Sequence, residues 1–129
     1  MHLRVVTPIR PVVDAEVTEI VAPGTEGEFG VLPLHVTFLG ALAPGIVTYV
    51  EAGAKRRIVI NGGYAEVRGD DLTILADAAE FPEEIDAVLA RAEVARLEEA
   101  LAQGGADPTE TDKFLRELAL ARARVSVTA

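Results

Sequence analysis

From residue 2 to about residue 80, apolar and polar side chains alternate in short runs. Leu3, Val5 and Thr7 interleave with His2, Arg4 and Val6, and Val13, Ala15, Val17 and Glu19 interleave with Asp14, Glu16 and Thr18. Further runs cover Ile46 to Val50, Arg57 to Ile60, Tyr64 to Val67 and Leu72 to Leu75. Side chains of a strand point alternately to its two faces, so this period of two predicts strands with one buried face. Pro23-Gly24, Ala43-Pro44-Gly45, Ala52-Gly53, Asn61-Gly62-Gly63 and Gly69-Asp70-Asp71 separate the runs and are expected to be turns. No helical pattern lies between the strands to carry a crossover, so the pairing is expected to be antiparallel rather than parallel. Short strands at this spacing predict a β-sandwich or flattened barrel over residues 1–81.

The period changes at Phe81-Pro82-Glu83-Glu84. Proline suits the first turn of a helix, and the acids after it suit the positive end of the helix dipole. Ile85, Val88, Leu89, Ala92 and Ala95 follow at helical spacing, with Leu97 and Leu101 beyond, until Gly104-Gly105 stops the run. A second helix is expected from Asp107-Pro108-Thr109-Glu110, where Asp caps and Glu sits three residues later. Phe114, Leu118, Ala121 and Val125 mark its stripe. The fold class is therefore mixed, β then α: an antiparallel β-sandwich, residues 1–81, followed by an antiparallel two-helix hairpin, residues 82–129. The hairpin is rich in Ala, and a unit of about 45 residues rarely buries enough surface to stand alone. It is expected to lie on the sandwich or on another protein, and an element with two docking surfaces can switch between them.

Charge and composition narrow the function. The chain of 129 residues has 21 acidic and 12 basic side chains, a formal charge of −9. It has no Lys/Arg footprint for nucleic acid, and an anionic membrane surface repels it. It contains no cysteine, which removes disulfides, thiolate metal sites and cysteine nucleophiles. Pro8, Arg10, Pro11 and Asp14 interrupt the first residues before a signal-peptide core forms, and no window reaches the length of a membrane span, so the chain is expected to be soluble and intracellular without direct membrane insertion.

Catalytic candidates are scarce. His2 and His35 are far apart and in no metal-ligand spacing. A lone His35 lacks the partners of general acid/base work, and a structural or interface role suits it better. Asp70-Asp71 reads as a turn rather than a calcium loop. Ser126 is the single serine and has no nucleophile-elbow context. The glycines from 24 to 30 lack the Lys and Ser/Thr of a phosphate cradle and precede no helix. Lys55-Arg56-Arg57 reads as a solvated strand flank or as a contact for an acidic neighbour. Arg91, Arg96, Arg116, Arg122 and Arg124 all fall on the helices. A stand-alone small-ligand module with a helical lid is a second reading of the same pattern, and an enzyme would need a nucleophile or acid/base pair that these residues do not assemble.

The stretch Gly24-Thr25-Glu26-Gly27-Glu28-Phe29-Gly30-Val31-Leu32-Pro33-Leu34-His35 joins three glycines and a proline to apolar side chains, a shaped loop. With Pro44-Gly45, Asn61-Gly62-Gly63-Tyr64-Ala65-Glu66-Val67 and Leu75-Ala76-Asp77-Ala78-Ala79-Glu80, it resembles the epsilon subunit of F-type ATP synthases over nearly the whole chain, in the family's order. The resemblance implies a non-catalytic central-stalk subunit that couples ion translocation to ATP synthesis and restrains hydrolysis through its helices. The implied partners are the gamma subunit, the c-subunit ring and the alpha/beta catalytic head, with the protein held peripherally at the cytoplasmic face of the bacterial inner membrane. Carried onto this chain, the c-ring and gamma interface falls on Glu26, Glu28, Phe29, Leu32, Leu34 and His35. Contact of an extended hairpin with an acidic beta-subunit segment falls on Arg116, Arg122 and Arg124.

Two departures qualify these implications. The family's Pro-Gly-His-Ala-Pro is here Pro33-Leu34-His35-Val36-Thr37, which implies a different local backbone. Some members bind ATP through a helix motif with Asp and Arg three apart, whereas here Arg91 comes five positions after Asp86. At about 100° per residue that turns the two roughly 140° apart. Asp86 and Arg91 are the only candidates for ATP, and weak or absent binding is expected, with no other cofactor. The helical segment is also acidic on balance, so strong inhibition does not follow from charge alone.

Overall fold

The computed structural model describes residues 1–31, 37–105 and 107–128. Among these, eight strands precede two helices: β1 (His2–Val6), β2 (Pro11–Glu16), β3 (Glu19–Gly24), β4 (Gly27–Val31), β5 (Phe38–Glu51), β6 (Ala54–Arg68), β7 (Asp71–Ala76), β8 (Ala79–Glu80), a 3-10 turn (Pro82–Glu84), α1 (Ala87–Gln103) and α2 (Pro108–Thr128). The strands run in the order β2-β1-β7-β6-β5-β3-β4, with β8 on the free part of β6. The sheet folds over itself as a sandwich but does not close, leaving β2 and β4 as edges. Pairing is antiparallel except for β1 with β7, which is parallel. The expectation of antiparallel pairing fails there because five intervening strands, rather than a crossover helix, return the chain to β1.

Leu3, Val5, Ile20, Val47, Ile58, Ile60, Val67, Leu72 and Ile74 fill one core between the layers. No charged or polar side chain among the described residues is fully buried, so the core is held by apolar contact alone.

Three of the expected turns lie in strands: Pro23-Gly24 closes β3, paired with Glu28 and Gly27 of β4, and Thr25-Glu26 makes the turn instead, while the other two share a different role. Ala43-Pro44-Gly45 and Asn61-Gly62-Gly63 lie inside β5 and β6, which have 14 and 15 residues and face each other with Leu42 opposite Gly63 and Pro44 opposite Asn61. They mark a bend in a long two-stranded ribbon. Before the bend β5 turns Leu42 into the core, and after it Val47 and Tyr49; β6 turns in Ile58 and Ile60, then Ala65 and Val67. The separations 42 to 47 and 60 to 65 are odd, so each strand exchanges its inward and outward faces at the same place. Gly62 and Gly63, at φ 76° and 132°, permit this.

The exchange puts Val59 on the outside of the ribbon, where Ala123 and Val127 of α2 cover it with Ile46, Ile85 and Leu120 around them. Ile58-Val59-Ile60 is thus apolar without alternation because both its faces are covered. Helix α2 has a second apolar side, Leu118 and Ala121, which packs with Phe114 on Val94, Leu97 and Leu101 of α1.

The helical starts and stripes differ in detail from the sequence reading. The segment from Pro82 is a 3-10 turn, because the Glu84 carboxylate turns back to accept the Phe81 N–H and Ile85 is extended. Helix α1 begins after Asp86, whose Oδ1 accepts the N–H groups of Val88 and Leu89 at 3.0 and 3.1 Å. Its buried stripe is Ala90, Leu97 and the half-buried Val94 and Leu101, whereas Val88 and Leu89 are 69% and 67% exposed and Ala92 and Ala95 face solvent. Helix α2 is capped as expected, Asp107 accepting the Glu110 N–H at 2.8 Å.

A methyl group at Gly63 would stand 2.0 Å from the Leu75 carbonyl oxygen, whereas one at Gly53 meets open space. Gly63→Ala is expected to cost about 3 kcal/mol or more in urea unfolding, and Gly53→Ala only about 1 kcal/mol of left-handed backbone strain.

Candidate interaction surfaces

Among the described residues, no other element lies on the outward face of the layer formed by β2, β1, β7, β6 and the first half of β5. Strand register arranges it in three rows. The first is Pro11, Val6, Leu75, Tyr64 and Ala41; the second is Asp14, Arg4, Thr73, Glu66 and Leu39; the third is Glu16, His2, Asp71 and Arg68. The face therefore grades from apolar beside the helical end to charged at the far end. Leu39, Tyr64 and Leu75 are 68%, 56% and 55% exposed, large side chains left in water together. A cleft of about 430 Å³ opens where this face meets α2, bounded by Ala41 and Tyr64 on the sheet and by Lys113 and Arg116 on the helix. Contiguous exposed apolar side chains beside polar ones are the character of a protein-binding face.

The charged row is held by its own contacts. His2 Nδ1 lies 2.7 Å from Glu16 Oε1, and Nε2 faces Asp14 Oδ1. The hydrogen bond to Glu16 raises the imidazole pKa above its ordinary value against the opposing effect of burial, and Asp14 adds to the rise.

The segment read as a shaped loop is mostly a hairpin of β3 and β4. Glu26 sits in its turn and Glu28 on the edge strand, both exposed, so the structure brings these two acids to one projecting end. Phe29 is turned the other way, half-buried on the core with its ring edge-on to Phe38 at 5.4 Å. Leu32, Leu34 and His35 lie outside the described residues.

Of the helical arginines, Arg116 is exposed near Asp112 at 3.4 Å, Arg122 reaches Glu98 of α1 at 3.2 Å, and Arg124 reaches Glu80 of β8 at 2.7 Å. The last two are thus engaged within the chain. Asp86 and Arg91 are not brought together: Asp86 borders a cleft with Glu80 and Arg124, and Arg91 a groove between the helices with Val94 and Arg122. Asp86 is occupied as the cap of α1. Among the described residues no group of His, Asp and Glu could hold a metal ion, and no helix is long and apolar enough to cross a membrane.

Leu39, Tyr64 and Leu75 were not singled out from sequence. Tyr64 and Leu75 sit in alternating runs and Leu39 in none that the sequence marks, and that they form one patch appears only when three strands are paired.

Residues 1–82 match the family described as ATP synthase, Delta/Epsilon chain, beta-sandwich domain. An ATP synthase epsilon chain of Nitratidesulfovibrio vulgaris is 46% identical over 103 residues, covering 80% of this chain and 77% of that one. Another, from Geotalea uraniireducens, is 41% identical over 125 residues, 97% and 89% of the two chains. Among solved structures, a chain of the Euglena gracilis mitochondrial ATP synthase OSCP/F1/c-ring assembly superposes with a TM-score of 0.80 at 28% identity, over 98% of this chain and 80% of that one. A chain of the central stalk/c-ring structure of Tetrahymena thermophila mitochondrial ATP synthase shares the fold, with a TM-score of 0.71 at 15% identity over 100% and 96%.

The raised pKa of His2 stabilises the fold while the imidazole is protonated, and this contribution is lost as pH rises through the folded-state pKa. The stability difference between the native chain and His2→Gln should therefore be largest below the ordinary imidazole pKa of about 6.5 and shrink as pH rises through the raised value. Urea midpoints at several pH values measure it; a difference independent of pH would show that the protonated contact adds nothing.

Proposed function

The chain belongs to the ATP synthase delta/epsilon family, and from that membership we propose that it is a non-catalytic central-stalk subunit whose bare sheet face grips gamma and whose β3–β4 end rests on the c ring. The observation that carries this reading is the exposed strip of Leu39, Tyr64 and Leu75 on a sheet face that no element among the described residues covers. Large apolar side chains left in water by folding gain most when a partner buries them, and a central aromatic flanked by aliphatics is the usual anchor of such an interface. A sheet is also a stiff platform, which a part that turns with a shaft requires. At the projecting end, Glu26 and Glu28 offer carboxylates to polar loops of the ring, where they orient the contact more than they tighten it.

The chemistry assigned to the subunit is mechanical. Asp86, Glu84 and Glu80 are used as caps and ion pairs. ATP is proposed not to bind, since Asp86 is spent on the helix cap and Arg91 opens on another groove. The subunit couples ion flow to synthesis by fixing gamma to the ring, peripherally at the cytoplasmic face of the membrane. Restraint of hydrolysis is assigned to the helical hairpin, with Arg116, Arg122 and Arg124 facing acidic groups of the catalytic head once the hairpin leaves the sandwich.

Mixed with gamma, the chain should elute as a one-to-one complex. Tyr64→Asp or Leu75→Asp should weaken that complex at least about tenfold while the isolated chain still folds, because both positions are already exposed. Unaltered affinity would place gamma elsewhere. Deletion of residues 83–129 should raise ATP hydrolysis by the assembled enzyme, and unchanged hydrolysis would remove the regulatory role.

A further inference from the structure

The hairpin is attached to the sandwich by little apolar surface. Its cluster on the sheet has three buried members, Val59, Ala123 and Val127, and is separate both from the sandwich core and from the hairpin's own core. The helix that meets strands β5 and β6 is α2, with α1 carried on it.

One ion pair joins α2 to the sheet beside this cluster. Arg124 Nε donates to Glu80 Oε1 at 2.7 Å, and the two side chains are 35% and 30% exposed. Each other Arg–carboxylate pair among the described residues has both partners more exposed than these. Glu80 cannot follow the helix if it moves, because it lies on β8, paired to Val59 of β6. Glu84, Asp86 and Glu93 border the same cleft, and among the described residues lining it Arg124 is the one cation.

The position of a second pair defines a pivot. Arg10, in the β1–β2 connection, holds Glu84 through two bonds of 3.0 and 2.9 Å, which fixes the 3-10 turn to the sandwich. Ile85 follows in extended conformation, φ −100° and ψ 132°, and Asp86 then caps α1. Rotation of the hairpin about Ile85 leaves Arg10–Glu84 intact. It must break Arg124–Glu80 and uncover Val59.

We propose that the Arg124–Glu80 pair is a latch that sets how often the hairpin leaves the sandwich, and that it withholds Arg124 from any external carboxylate while the hairpin is docked. The second clause rests on the regulatory reading above; the first does not. Docking and external contact are then competing uses of one guanidinium. Arg122 differs, because its partner Glu98 is on α1 and travels with it.

The test uses the full chain, which has no cysteine of its own. Dyes on Lys55→Cys and Gln103→Cys, exposed positions on β6 and at the end of α1, report the released fraction by single-molecule energy transfer. Arg124→Gln and Glu80→Gln should each raise that fraction about tenfold, and the double variant should match the singles because the two act through one contact. Arg122→Gln should leave it unchanged. Raising NaCl from about 0.05 to 0.5 M should increase release in the native chain and not in Arg124→Gln, since an ion pair is screened and the apolar contact is not. Single variants without effect, an additive double variant, or an equal response to Arg122→Gln would overturn the latch. If release behaves as stated while deletion of residues 83–129 leaves hydrolysis by the assembled enzyme unchanged, the regulatory reading falls and the latch stands.

Discussion

The shared bend of β5 and β6 is the constraint on which the rest of this molecule depends. Because the two strands exchange their inward and outward faces opposite each other, at Ala43-Pro44-Gly45 and Asn61-Gly62-Gly63, one ribbon contributes to both layers of the sandwich without breaking its register. The outward face it presents then differs on the two sides of the bend. After it, Ile46 and Val59 need a cover, which α2 supplies through Ala123 and Val127. Before it, Ala41 and Tyr64 join Leu75 and Leu39 on a face left to solvent. A self-made contact and a partner-ready surface are thus built from the same pair of strands.

The two surfaces are held by different forces, and this divides their roles. The bare face is apolar at its helical end and charged at its His2 end, so a partner seated there is bound by burial and oriented by charge. The docked helix has a small apolar contact supplemented by one partly buried ion pair, which is strong enough to hold and weak enough to release. In the proposed reading the sheet is the fixed foot and the hairpin the part that moves. The arginines follow the same division: Arg122 stabilises the hairpin internally, Arg124 joins it to the sheet, and Arg116 faces outward beside the cleft that contains Tyr64.

Most of the architecture was legible along the chain, because alternation and helical spacing are local. Most strands, the cap at Asp107 and the stop at Gly104 followed from single segments, but β4 and the first half of β5 did not: the one lay in the segment read as a loop and the other in no alternating run. What failed was non-local. Glycine and proline at 43–45 and 61–63 read as turns, since a bend inside a paired ribbon and a chain reversal use the same residues, and only the partner strand distinguishes them. The parallel pair of β1 and β7 leaves no helical trace to detect. The stripe of α1 was misplaced toward Val88 and Leu89 because the helix carries a second apolar line at the same spacing, Ala90, Val94, Leu97 and Leu101, and only packing on Phe114 and Leu118 of α2 decides which is buried. For the interface, Glu26 and Glu28 were visible as loop acids, but Phe29 proved to serve the core, and Leu39, Tyr64 and Leu75 converge only through cross-strand register.

In the proposed assembly the bare sheet face, and not the helical face, meets the stalk. Hydroxyl-radical footprinting of the free chain and of the same chain assembled with gamma and the c ring tests it most directly. Leu39, Tyr64 and Leu75 should lose most of their labelling on assembly, while Leu115, exposed on α2, keeps its own. Undiminished labelling of the three sheet residues in a fully assembled rotor would contradict the account.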